Sequence, residues 1–138
     1  YTYEAPEGFL DGVAVARAIG AEVEDVYKTL VIRGTGDFAY VCVIPVAAEL
    51  DLKKAAQFFG GKKMEMLPAK EITRVTGYKK GGCSPIGMKK NFPTAIDRSA
   101  EKKEKILVSA GMVGLQMEIG VADLMAETKA KFVDLIKD

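Results

Sequence analysis

The chain has 138 residues, 49% of them apolar, with 20 Lys and Arg against 19 Asp and Glu and a formal net charge of +1. That length and apolar content suit a single domain, residues 1–138, with a core that needs no disulfide or metal staple; no apolar run approaches the roughly 20 residues of a membrane span. Histidine is absent, which excludes Ser-His-Asp and Cys-His catalysis and imidazole-bound zinc, while Cys42 and Cys83 read as two reduced thiols of a cytoplasmic protein without a signal peptide.

Tyr1–Tyr3 reads as a strand fragment ended by Ala5-Pro6-Glu7-Gly8. Leu10, Val13 and Ala14 begin a helical stripe that stops at Gly20, and an acidic turn, Glu22–Asp25, follows. Val26–Arg33 and Phe38–Ile44 are β-rich runs joined by Gly34-Thr35-Gly36-Asp37, the pattern of a hairpin. Leu52, Ala55, Ala56 and Phe59 share one helical face, capped by Asp51 and ended by Gly60-Gly61. Lys63–Leu67 suits a short strand, and Pro68 opens a helix carrying Ile72 and Val75 that stops at Gly77. From Gly81 the pattern lapses into a loop running past Pro93. Ile106–Ser109 and Leu115–Ile119 are strands around a Gly-containing bend, the second predicted to turn Leu115, Met117 and Ile119 inward and Gln116 and Glu118 outward. Val121, Leu124, Met125 and Thr128 mark a last helix, and Lys131–Ile136 is too short to assign. Interleaved helices and hairpin-like strand pairs predict an α/β domain: a mixed, largely antiparallel curved sheet or partial barrel surrounded by helices.

Charge is unevenly spread. Residues 1–25 hold six acids and one base, Arg17, whereas residues 62–90 hold eight bases against Glu65 and Glu71. A local excess of that kind suits a phosphate-bearing partner, and equally a solvated surface. Three segments can carry chemistry. Alternation along Val26–Ile32 places Lys28 on the face of Val26, Leu30 and Ile32, where an ammonium is costly unless paired or wetted by a cleft; an edge-strand lysine snorkelling to water fits the same pattern. The loop Gly81-Gly82-Cys83-Ser84-Pro85-Ile86-Gly87 can aim backbone N–H groups at a developing oxyanion, and Lys79-Lys80 and Lys89-Lys90 bracket it with positive charge. It lacks the Lys-Ser/Thr ending of a Walker loop. Cys83 has no histidine to act as its base, so it reads as a small residue filling the loop. Ser109-Ala110-Gly111 and Gly114-Leu115-Gln116 form a bend at which Ser109 and Gln116 can hydrogen-bond a ligand, or a plain hairpin turn.

Together these segments resemble the YbaK/EbsC family and the related editing domain of some prolyl-tRNA synthetases. The matching pieces are Val26–Leu30, Gly81–Gly87 with Lys89-Lys90, Pro93–Asp97, and Ser109–Gly111 with Gly114–Gln116, in order from about Tyr3 onward. The resemblance implies hydrolysis of the ester joining an amino acid to the 3′ end of tRNA, with Cys-tRNA(Pro) cleared in trans. It implies that Lys28 is the key polar residue, holding the terminal adenosine or its phosphate, and that the loop from Gly81 to Pro85 lines the site, Gly81 and Gly82 stabilising the oxyanion. Tyr3, Thr29, Ser109 and Gln116 would surround the pocket, with Lys79, Lys80, Lys89 and Lys90 on the tRNA. In the cysteine-specific branch the substrate's own thiol is the implied nucleophile, which suits a chain without histidine. No cofactor or metal is expected. The expected partners are the aminoacylated 3′ end of tRNA and, as an option, prolyl-tRNA synthetase; the expected state is a monomer or weak homodimer. An Ala-tRNA(Pro) deacylase and a non-catalytic tRNA- or nucleotide-binding module are the competing readings.

Overall fold

The computed structural model describes residues 1–4, 11–34, 38–61, 63–79 and 82–138. Its centre is the β-branched and aromatic pair β1 (Tyr27–Arg33) and β2 (Ala39–Pro45), antiparallel with Lys28 opposite Ile44 and Arg33 opposite Ala39. The hairpin is therefore as expected, although residues 35–37 of its turn lie outside the described residues. β3 (Glu65–Met66) pairs antiparallel with the end of β1. On the other side β2 runs parallel to β4 (Thr94–Asp97), which runs parallel to β7 (Lys131–Val133), giving the order β3-β1-β2-β4-β7. β5 (Lys105–Met112) and β6 (Leu115–Gly120) form a separate antiparallel hairpin with a register irregularity between Ser109 and Met112. This is the mixed α/β architecture that the interleaved pattern predicts.

Two strands were not legible. Every residue of β4 is buried, because it lies between two parallel neighbours with both faces covered, and such a strand has no polar alternation to read. β7 is three residues long, below the length at which periodicity speaks.

Local chemistry sets the helix ends. α1 (Gly12–Ala18) starts where the Asp11 carboxylate accepts the Ala14 N–H at 3.0 Å. α2 (Leu52–Phe59) starts where Asp51 accepts from the amides of Lys53 and Lys54. α3 (Ala69–Thr76) follows Pro68 and ends at Gly77, whose φ of 87° is left-handed. α4 (Val121–Thr128) follows directly on β6. One sheet face, through Tyr27, Val41, Val43 and Ile96, packs on Val108 and Ile106 of β5 and Leu124 of α4. The other, through Ile32, Cys42, Ile44 and Ala95, packs on Ala55 and Ala56 of α2 and on Leu135. α1 and α3 close smaller clusters, α3 laying Ile72 and Val75 against Val31, Leu67 and Cys83.

The free side of β1 is interrupted. At one end Val26 bridges Leu107 of β5, and at the other Leu67 donates its N–H to the Val31 carbonyl at 2.9 Å. Toward β2, the Val26 carbonyl accepts from Val46. Antiparallel pairing alternates, so the even-numbered residues of this stretch bond to β2 and the main chain of Thr29 faces the interruption, as Val31 does.

Candidate active site

That interruption is the mouth of a cavity of about 480 Å³ between β1, α1, α3 and the β5–β6 hairpin. Lys28 and Thr29 of β1, Ser109 of β5, Gln116 of β6, Tyr3 and Cys83 all line it. Tyr3 is fixed there because its N–H donates to the Gly114 carbonyl at 2.9 Å and its neighbour Thr2 bridges Leu115. Residues far apart in sequence and singled out separately thus meet around one space.

Its polar inventory is incompletely used. Lys28 is half-buried and joins no ion pair among the described residues; burial lowers its pKa from the ordinary value, opposed by the Glu49 carboxylate. Thr29 Oγ1 and Gln116 Oε1 are buried without a hydrogen-bond partner. A buried polar atom left unpaired costs about 1–3 kcal/mol, so both are poised to take hydrogen bonds from a ligand. Ser109 Oγ accepts from the Gly111 amide at 3.3 Å, which leaves its proton free to donate. Opposite these groups the wall is apolar, made of Val31, Leu67 and Ile72. The combination offers a cation, hydroxyls, an amide and a strand edge around a small apolar recess.

Gln116 departs from expectation. The alternation of β6 points it outward, yet it is only 7% exposed. The hairpin is covered on both faces: Met117 and Ile119 pack on the main core while Gln116 turns into the cavity. A polar side chain in an alternating strand marks solvent or a cleft alike, and sequence cannot separate the two.

The loop contributes differently from its sequence reading. Gly81 and Lys80 lie outside the described residues. Gly82 does not line the cavity, and its N–H already donates to the Lys79 carbonyl at 3.0 Å. Its lack of a side chain serves packing: a Cβ there would sit 2.7 Å from the Val113 nitrogen and 2.8 Å from the Met112 carbonyl carbon. Pro85 and Lys90 line a second hollow of about 200 Å³ on another side of the loop. Lys79 and Lys89 are exposed. Cys83 reaches the cavity, but burial pushes its thiol up to about 11 against a hydrogen bond from Thr76, so it is protonated at neutral pH.

Tyr78 gave no signal in the sequence and is the strut of this region. Its hydroxyl donates to the Ile86 carbonyl at 2.5 Å, and its ring lies 3.1 Å from where a Cβ of Gly111 would be. It thereby ties the loop to the bend of the β5–β6 hairpin.

Comparisons with known proteins converge on one family. A model of the aminoacyl-tRNA editing domain matches residues 10–126. A candidate Cys-tRNA(Pro)/Cys-tRNA(Cys) deacylase of Enterococcus faecalis, EbsC, is 42% identical over 135 residues, 98% of this chain and 82% of that protein. The uncharacterized protein YwhH of Bacillus subtilis is 29% identical over 124 residues, 89% of this chain and 78% of its own. Among solved structures, a candidate trans-editing enzyme for prolyl tRNA synthetase superposes with a TM-score of 0.87 at 26% identity, over 100% of this chain and 85% of that one. The hypothetical protein APE2540 shares the fold, with a TM-score of 0.88 at 21% identity, over 99% of this chain and 89% of its own.

Proposed function

The chain belongs to the aminoacyl-tRNA editing domain family, and on that premise we propose that it hydrolyses mischarged Cys-tRNA(Pro) in trans, in the cytoplasm. The observation that carries this reading is the convergence of Lys28, Thr29, Ser109 and Gln116 on one cavity in which two buried oxygens lack partners. An aminoacyl ester supplies what those groups lack: an α-ammonium to donate, ribose hydroxyls to donate and accept, and a phosphate for the ammonium of Lys28. The neighbouring main chain of Thr29 adds a donor and an acceptor at the strand edge.

The nucleophile in this reading comes from the substrate. The cysteine thiol attacks its own ester carbonyl, a C–S bond forms, the C–O bond to the ribose breaks, and the thiol proton ends on the ribose oxygen. A four-membered cyclic thioester leaves, and water then adds to its carbonyl and breaks the C–S bond, giving free cysteine and completing the net hydrolysis. The protein supplies orientation, which is worth about 7–11 kcal/mol when attack geometry is enforced, and a donor for the oxyanion. Because the Gly82 amide is engaged with Lys79, we assign the oxyanion contact to the Cys83 amide, which has no acceptor among the described residues. Cys83 itself is not assigned as nucleophile, because burial raises its thiol to about 11 and the chain has no histidine to deprotonate it. Prolyl-tRNA synthetase as a second partner, and a monomeric or weakly dimeric state, complete the proposal.

The test is Lys28→Ala. The variant is expected to fold with an unchanged thermal midpoint within a few degrees and to lose deacylation of Cys-tRNA(Pro) by about a hundredfold, the scale of a lost charged contact in the transition state. Wild-type activity in the variant contradicts the role given to Lys28.

A further inference from the structure

Lys63, Lys70, Lys79, Lys89 and Lys90 are exposed, and none joins an ion pair among the described residues. Elsewhere Lys54, Lys103, Lys105 and Lys137 are each held by an acid, whereas Lys53, Lys102 and Lys131 are exposed without an ion pair among the described residues but are scattered along the chain. Arg74 is also neutralised, since Glu71 binds it at 2.8 Å and binds Arg33 at 3.0 Å, while Arg33 takes Glu65 as well. The positive field on this side of the molecule therefore comes from the lysines.

Their placement is tied to the cavity through α3. The inner side of that helix gives Ala69 and Ile72 to the cavity wall, and Lys70 is exposed beside them. At its other end Lys89 folds back over Gly77, donating its amide to Thr76 at 3.1 Å and its ammonium to the Arg74 carbonyl at 3.3 Å. Lys79 follows the helix within two residues of Gly77. The surroundings of α1 carry a net excess of acid, although the helix itself holds one exposed base, Arg17, and no acid. Asp11 lines the cavity at the start of α1, and Glu22 and Glu24 are exposed just after that helix, none of them in an ion pair among the described residues. Charges across a cleft of this size act within a Debye length of about 8–10 Å, so a polyanion leaving the cavity is drawn to the lysines and repelled by these acids.

We propose that the 3′-terminal strand of the tRNA leaves the cavity over α3, its phosphates following Lys70, Lys79 and Lys89, and away from the acids that flank α1, Asp11, Glu22 and Glu24. This rests on the deacylase reading and adds to it the path of the RNA and a contact, Lys70, whose side chain is exposed and does not line the cavity.

The experiment compares Lys70→Glu with Lys102→Glu, an equal charge change at another exposed lysine outside any ion pair among the described residues. Each is assayed on Cys-tRNA(Pro) and on 2′(3′)-O-cysteinyl-adenosine, which presents the same ester without phosphates. Lys70→Glu is expected to lower kcat/KM for the tRNA about tenfold and to reduce its salt slope by about one, leaving cysteinyl-adenosine within about twofold of wild type. Lys102→Glu should alter neither. Equal effects of the two variants on tRNA, or an equal loss by Lys70→Glu on both substrates, would overturn the proposal. If wild type hydrolyses neither ester, the deacylase reading fails by itself. Binding of uncharged tRNA then decides: weaker binding by Lys70→Glu alone supports the α3 path, and equal binding by both variants overturns it.

Discussion

Lys28, Cys83 and Gln116 show how far a single residue's identity reaches. An ammonium on an apolar strand face is expensive, and the pattern Val26–Ile32 admits either a cleft or an escape to water. The fold selects the cleft, since Lys28 lines the cavity and burial depresses its pKa. Cys83 illustrates the converse. A thiol at the cavity invites a nucleophile assignment, yet desolvation raises it to about 11 and no histidine exists to deprotonate it. It packs instead beside Val31, Leu67, Ile72 and Val75. Cys83→Ala is therefore expected to keep kcat on Cys-tRNA(Pro) within about threefold of wild type, at a stability cost of about 1 kcal/mol for the small loss of packing. Single-turnover assays and thermal unfolding measure the two effects, and an inactive, folded Cys83→Ala would restore the thiol as a reacting group. Gln116 could not be assigned from its own strand, because a polar residue looks the same facing solvent and facing a ligand.

Among the elements, α3, the loop that follows it and the β5–β6 hairpin act as one assembly. Gly82 lets the loop backbone press on Met112 and Val113, and Tyr78 reaches from beyond α3 to the Ile86 carbonyl while its ring covers Gly111. That assembly sets where the Cys83 amide stands relative to Ser109 and Gln116. Removing the hydroxyl in Tyr78→Phe deletes one hydrogen bond, worth about 1 kcal/mol of stability. A loop free to shift by a fraction of an ångström also misplaces an oxyanion donor, so kcat on Cys-tRNA(Pro) should fall about tenfold with KM within about twofold of wild type. A purely structural strut would lower the thermal midpoint and leave kcat of the folded enzyme unchanged. The sequence made the loop legible through its glycines and flanking lysines, and made α2 and α3 legible through caps and spacing. It could not reveal Tyr78, whose role depends on the Ile86 carbonyl and Gly111, 8 and 33 residues away, meeting it in space. Nor could it reveal β4, which is buried on both faces and so carries no period.

At the scale of the whole molecule, the central sheet is a partition with a gap. One face is sealed by α4 and the β5–β6 hairpin and the other by α2 and the C-terminal segment, where Asp97 accepts the Leu135 amide at 3.1 Å. The free side of β1 is left open between Leu107 and Leu67, and the cavity occupies that opening. The acids that flank α1, Asp11 before it and Glu22 and Glu24 after it, and the basic region around α3 are the local form of an asymmetry already present in the sequence as six acids within residues 1–25 and eight bases within residues 62–90. Charge was compatible with a polyanionic partner and equally with a solvated surface, and the order of the motifs indicated the family. Which residues share a cavity emerged only from the packing. The most direct measurement is release of labelled amino acid from Cys-tRNA(Pro) beside Ala-tRNA(Pro). A substrate-thiol mechanism predicts rapid loss of cysteine and retention of alanine, because alanine has no side-chain nucleophile. Equal release of both, or release of alanine alone, would contradict it.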